Sequence, residues 1–141
     1  MKRVVLDTSV VATALRSASG AGNAVLRLVA HQKLIPLVTP ALFLEYEDVL
    51  KRPEQRIVTG LSLDEIDQFL AALASACEPV ETHFQWRPQL RDAADEMVFE
   101  TAINGRADAL VTYNIKDFAS AASRFGLRVL LPGALLKEMR S

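Results

Sequence analysis

The sequence predicts an α/β fold: a three-layer α/β/α sandwich around a central, mostly parallel sheet of four or five strands. Three observations carry this. Short, fully apolar runs recur at Val4-Val5-Leu6, Ala109-Leu110-Val111 and Val129-Leu130-Leu131, and such runs read as strands buried on both faces, as in a parallel sheet. Between the strands lie segments with apolar residues at helical spacing, so strands and helices alternate. The length of 141 residues, with 50% hydrophobic and 23% charged residues, suits one domain with its own core, and residues 1–141 are read as a single domain.

The elements follow in order. Val4 to Leu6 forms the first strand, and Thr8 or Ser9 could cap the helix after it, with Val10, Val11, Ala14 and Leu15 on one side. The glycines and serines of residues 17–23 predict a turn, and Val25, Leu28 and Val29 a helix over residues 24–31. Residues 34–39 read as a second strand, with Pro36 arguing for an edge position or a bulge. Pro40 suits the first turn of a helix running to about Lys51, which Pro53 ends or kinks. Ser62 followed by Glu65, with Ile66, Phe69, Leu70 and Leu73 beyond, marks a helix to Cys77. A short strand at residues 79–82, a helix at residues 92–104 closed by Gly105, a strand at residues 109–112 and a helix from Lys116 to Arg124 ended by Gly126 come next. Residues 128–131 make a last strand, and Pro132 opens a terminal helix.

Composition removes several function classes. Cys77 is the one cysteine, which rules out an internal disulfide and argues against a cysteine-rich zinc module. No apolar run approaches a membrane span, and the N-terminal apolar run stops at Asp7, so neither a signal peptide nor a membrane partner is expected, and a reducing cytoplasm is the expected compartment. The formal charge of −1 excludes a uniformly basic polyanion wrapper.

In parallel sheets ligands bind beyond the carboxyl ends of the strands, so acids just after the strands matter most. Asp7 directly follows the first strand; it is either a capping aspartate or a site residue. At 100° per residue, Glu45 borders the apolar stripe of Leu42, Tyr46, Val49 and Leu50, while Glu47 and Asp48 point to solvent. Asp95 falls near the centre of the stripe Val98, Phe99, Ala102 and Ile103, with Glu96 and Glu100 projecting elsewhere. Asp95 could equally sit in the first turn of a helix capped by Asp92. After the fourth strand, Asn114 and Asp117 offer oxygen donors, or simply a turn and a helix start. Carboxylates crowded in one crevice repel by about 4 kcal/mol per pair at ~4 Å and an effective dielectric of ~20. Such a cluster suits a hard cation, Mg²⁺ or Mn²⁺.

Four blocks in order resemble the PIN-domain family of metal-dependent ribonucleases, which includes toxins of VapBC-type toxin–antitoxin pairs. They are Val4 to Val10, Pro40 to Leu50, Asp92 to Asp108, and Val111 to Phe118. The helical insert over residues 62–77 resembles a subgroup of PIN-family toxins. The resemblance implies that Asp7, Glu45 and Asp95 bind Mg²⁺ or Mn²⁺, that Thr8 and Ser9 flank the first acid, and that Thr112 supports the site. Many members carry aspartate where this chain has Asn114; Asp117, Asp92 and Glu96, in that order, are the candidates to compensate. The implied chemistry is hydrolysis of RNA phosphodiesters, with the cation activating water and stabilising the leaving oxygen. The implied partners are an RNA substrate, a cognate antitoxin and a second copy in a homodimer, with the Leu135, Leu136 and Met139 face as a contact surface or as core.

Two rivals stand beside this. One is a catalytically degenerate PIN module that binds RNA or a protein, which Asn114 favours. The other is a phosphotransfer enzyme with Asp7 as nucleophile; Ser9 stands where its second aspartate belongs, and Gly20-Ala21-Gly22 lacks the lysine of a P-loop. His31 and His83, the latter near Trp86, read as surface or packing residues. Residues 1–60 carry a net +3 and residues 61–141 a net −4. Arg16, Arg27, Lys33, Lys51, Arg52, Arg56 and Lys116 are candidates to steer a phosphate backbone.

Overall fold

The computed structural model describes residues 2–83, 90 and 92–140; Trp86, named above, lies outside them. Five strands form one sheet in the order β3-β2-β1-β4-β5, every neighbouring pair parallel. They are β1 (Lys2–Leu6), β2 (Leu34–Val38), β3 (Glu78–Pro79), β4 (Ala109–Val111) and β5 (Val129–Leu130). The helices are α1 (Thr8–Ala14), α2 (Ala21–Ala30), α3 (Pro40–Lys51), α4 (Pro53–Thr59), α5 (Leu63–Ala76), α6 (Ala93–Asn104), α7 (Ile115–Phe125) and α8 (Pro132–Arg140). Helices flank the sheet on both faces, giving the expected three-layer α/β/α architecture. The right-handed crossover rule places α1 to α5 on one face and α6 and α7 on the other. Val4, Val5, Leu6, Leu110 and Val111 are fully buried, as strands covered on both faces require.

Several helix ends follow directly from local chemistry. The Thr39 hydroxyl accepts from the Leu42 amide at 3.2 Å and Pro40 opens α3. Ser62 and Glu65 form the reciprocal capping box of α5. Gly126 ends α7 at φ 66°, in the left-handed region that glycine enters most readily.

Other expectations are corrected. Asp7, rather than Thr8 or Ser9, occupies the N-cap position of α1, and its side chain does not cap. The turn over residues 17–23 is shorter than its composition suggests, because α2 already begins at Ala21. Gly22 is a packing glycine: a Cβ there would lie 3.1 Å from the Val10 carbonyl oxygen and 3.2 Å from the Tyr113 hydroxyl. Pro36 sits in an interior strand, but β3 pairs with β2 only at Leu37 and Val38, so Pro36 meets β1 alone and its missing N–H costs no ladder bond. α3 does end at Lys51, as Pro53 predicts, and Pro53 also starts a new helix, α4, after the extended Arg52, since proline favours the first helical position. The strand expected at residues 79–82 is β3, two residues long and beginning at Glu78.

Glu96 and Glu100, which project off the predicted stripe, are buried as well: each is 4% exposed. A single-stripe helical wheel fails for α6 because that helix packs against the sheet, α3 and α7 together. Leu135 of α8 is fully buried and Leu136 and Met139 pack on the same core, so the terminal apolar face is spent internally.

Gly105 has an ordinary φ of −84°; space, not dihedral freedom, demands glycine. A Cβ would lie 2.9 Å from Leu37, from Val80 and from the Thr101 carbonyl oxygen. Gly105→Ala is expected to destabilise the chain by about 1–3 kcal/mol through overpacking, read as a lower urea midpoint at unchanged slope.

Candidate active site

The sheet order sets the location. From β1 the chain moves outward to β2 and β3, then returns across the sheet to β4 and β5. The direction of winding therefore reverses between β1 and β4, and the crevice beyond their carboxyl ends is the switch point where open parallel sheets bind ligands. Asp7 and Thr112 sit there. Leu6 pairs with Val111, and the Asp7 amide donates to the Val111 carbonyl at 2.9 Å. Asp7 is 5% exposed and Thr112 is fully buried. The Thr112 and Ser9 hydroxyls both donate to Asp7 Oδ2, at 2.7 and 2.8 Å. That holds the carboxylate in one orientation and leaves Oδ1 outside these two bonds.

Glu45 reaches the site from α3. Its neighbour Tyr46, 2% exposed, donates its hydroxyl to the Leu6 carbonyl, the residue before Asp7. This bond ties the helix carrying the second acid to the strand carrying the first. Asp95 comes from α6, in the first turn after Asp92, whose Oδ1 accepts from the amides of Ala94 at 2.7 Å and Asp95 at 3.4 Å. Asp92 is therefore the cap, and Asp95 sits in the first turn of α6. Buried Thr101 of α6 donates to the Met97 carbonyl at 2.8 Å, and the Thr39 and Thr101 hydroxyls meet at 3.1 Å. Since Thr101 spends its proton on Met97, Thr39 is the donor between them, linking the start of α3 to α6.

The electrostatics show which acids share a neighbourhood. Burial, then the charges of Asp7, Asp92 and Asp117, push the Asp95 carboxyl up to about 6. Burial also raises Glu45; Arg52 offsets part of this, while Asp48, Asp92 and Asp7 add to it. Like charges and partial desolvation disfavour ionisation in the way expected of uncompensated carboxylates. Among the described residues no three His, Cys, Asp or Glu side chains form a ready-made ligand cluster. The donor chemistry, all carboxylate and amide oxygen, fits a hard divalent cation, with Asp7, Glu45 and Asp95 as the residues that could hold it.

The remaining candidates divide. Asn114 is exposed, its side chain makes no cap bond, and its amide donates to Thr112 Oγ1 at 2.9 Å. Asp117 is exposed on the first turn of α7, and its charge reaches Asp95. Glu96 is buried and its Oε1 accepts from the Leu90 amide at 2.7 Å. The Thr8 hydroxyl is buried beside Asp7 and has no hydrogen-bond partner among the described residues. Lys51 is paired with Glu47 and Asp67, and Arg52 with Asp48. Arg16 donates to Gln55 at 2.6 Å. Arg27, Lys33 and Lys116 are exposed. His31 and His83 are exposed, and burial pushes the Cys77 thiol up to about 11, so no thiolate nucleophile is present at neutral pH. An apolar cavity of about 610 Å³ lies between α2, β2 and α5, lined by Leu26, Val29, Phe69 and Leu73 among others; none of the site acids lines it.

Sequence reasoning missed the Tyr46 and Thr39–Thr101 links. Their partners are separated by 40 and 62 residues, and no local pattern encodes such contacts.

Residues 3–116 match a family model described as PIN domain. Among solved structures, a chain of VapBC2 from Rickettsia felis, bound to a DNA fragment from its promoter, shares the fold. The TM-score is 0.56 over 91% of this chain and 96% of that one, at 18% sequence identity. No curated protein is significantly similar to the chain.

The shift at Asp95 has a definite sign. Its folded value lies above the ordinary 3.8 of an aspartate, so its contribution to stability is full below about pH 3.8 and is lost as pH rises through about 6. Carboxyl NMR of the metal-free protein is expected to show Asp95 titrating near 6, and Asp7→Asn is expected to move that midpoint down, only partway because burial is the larger cause.

Proposed function

The chain belongs to the PIN-domain family, and from that premise we propose that it is a metal-dependent endoribonuclease and the toxin of a toxin–antitoxin pair. PIN domains are in general nucleases that use divalent metal ions. What supports the reading is Asp7 at the β1–β4 switch point, whose charge bears on both Glu45 and Asp95, with those two carboxyls held above their ordinary range.

In this reading Asp7, Glu45 and Asp95 hold Mg²⁺ or Mn²⁺. When bound, the cation supplies water activation and neutralises charge developing at phosphorus. Thr112 and Ser9 fix the Asp7 carboxylate, and the small flanking residue Thr8 completes the first turn beside it. Asn114 offers a neutral amide oxygen; Asp117 supplies the charge that Asn114 lacks. Asp92 holds the start of α6 and adds to the negative field. RNA is held mainly through the cation, which suits a chain with a net charge of −1. The toxin role draws on the shared fold with VapBC2, a protein bound to promoter DNA. It brings with it a cognate antitoxin and a homodimer as partners. Among the described residues no helix is long and apolar enough to cross a membrane, consistent with a cytoplasmic site of action.

A degenerate PIN module that binds RNA or a protein is the second reading, and Asn114 together with the lack of a ready-made ligand cluster favours it. Cleavage of single-stranded RNA separates the two. The nuclease reading expects Mn²⁺- or Mg²⁺-dependent cleavage that EDTA abolishes and that Asp7→Asn or Asp95→Asn lowers by about a hundredfold or more, with each variant still folded by circular dichroism. Cleavage surviving EDTA and both substitutions defeats the metal-acid mechanism. No cleavage, with no Mn²⁺ binding, establishes the module. Growth arrest on expression, relieved by a protein encoded beside this chain, is the expected sign of the toxin role.

A further inference from the structure

Tyr113 is unusual among the aromatic residues described. Tyr46, Phe99 and Phe118 are buried to 2% or less, and Phe125 packs edge-on against Phe99 at 5.3 Å. Tyr113, at 38%, is the one tyrosine or phenylalanine among the described residues that is exposed. It stands between the two residues that close the end of β4. Thr112 donates to Asp7, and the Asn114 amide donates back to Thr112, so the backbone on either side of Tyr113 is pinned. The Tyr113 Cα follows that of Thr112 by about 3.8 Å. The far end of the ring is also confined: its hydroxyl lies where a Cβ on Gly22 would come within 3.2 Å. A partly exposed ring is thus held at the end of β4, one residue from the hydroxyl that orients Asp7.

We propose that Tyr113 is a nucleobase-stacking platform that seats one unpaired base of the substrate next to the phosphate at the acid site. This rests on the nuclease reading for the identity of the reaction, but stacking is a binding property and can be measured without cleavage. Every base has a flat face, so the platform selects for unpaired strand and tolerates sequence. A ring fixed before binding also loses little freedom on stacking.

The test uses the full chain and a short single-stranded oligoribonucleotide carrying 2-aminopurine at one position at a time, in Ca²⁺. Wild type and Tyr113→Phe are expected to quench 2-aminopurine at one position of the strand and not in a duplex. Tyr113→Leu is expected to lose that quenching and to bind about tenfold more weakly, with an unchanged melting temperature. In Mn²⁺-dependent cleavage, Tyr113→Leu raises KM by a similar factor and leaves kcat nearly unchanged. Quenching and affinity equal in wild type and Tyr113→Leu overturn the proposal, as does a wild-type protein that quenches at no position, a result that stands even if Tyr113→Leu fails to fold. Quenching without any cleavage supports stacking and counts against the nuclease reading; cleavage with KM unchanged in Tyr113→Leu does the reverse.

Discussion

The hydrogen bond from Thr112 to Asp7 closes the junction on which the rest of the site depends. It joins the carboxyl ends of β1 and β4, the strands between which the sheet reverses its winding. Both groups are withdrawn from water, and a buried carboxylate is costly unless it is satisfied. Thr112 and Ser9 satisfy one oxygen of Asp7. The same threonine accepts from Asn114 and so sets where α7 begins, which places Asp117 and Tyr113. One hydroxyl thereby orients the first acid and the loop that faces it.

Around that junction the protein assembles negative charge that does nothing for its own stability. Asp95 and Glu45 are raised by burial and by neighbouring acids, so ionising them at neutral pH opposes folding. The cost is borne by uncharged ties between the elements. Tyr46 fastens α3 to the end of β1, and Thr39 meets Thr101 to fasten α3 to α6. Rigid supports under mutually repelling groups are what a site needs when the missing opposite charge arrives with a ligand.

Much of this was legible in the sequence because it is local. The apolar runs gave their strands, Ser62 with Glu65 gave a helix start, and Gly126 gave a helix end. The positions of Asp7, Glu45 and Asp95 relative to strand ends and apolar stripes made them candidates for one crevice. What failed was non-local. A wheel with one apolar stripe sets Glu96 and Glu100 off that stripe and gives no sign of their burial, whereas α6 is covered on several sides. Pro36 was read as an edge residue, and it is one only locally, since β3 is too short to reach it. Pro53 could end one helix or begin the next, and only the extended Arg52 before it decides. The hydroxyl ties of Tyr46 and Thr39 join residues far apart in the chain, and leave no mark on sequence periodicity.

The central claim is that Asp7, Glu45 and Asp95 share one divalent cation. Anomalous diffraction from crystals soaked in Mn²⁺ tests it most directly. The account expects a single strong peak at the carboxyl ends of β1 and β4, with oxygens of all three residues at about 2.0–2.4 Å or reaching it through ordered water. An Mn²⁺ peak elsewhere, or no peak with the three carboxylates still apart at neutral pH, would contradict it.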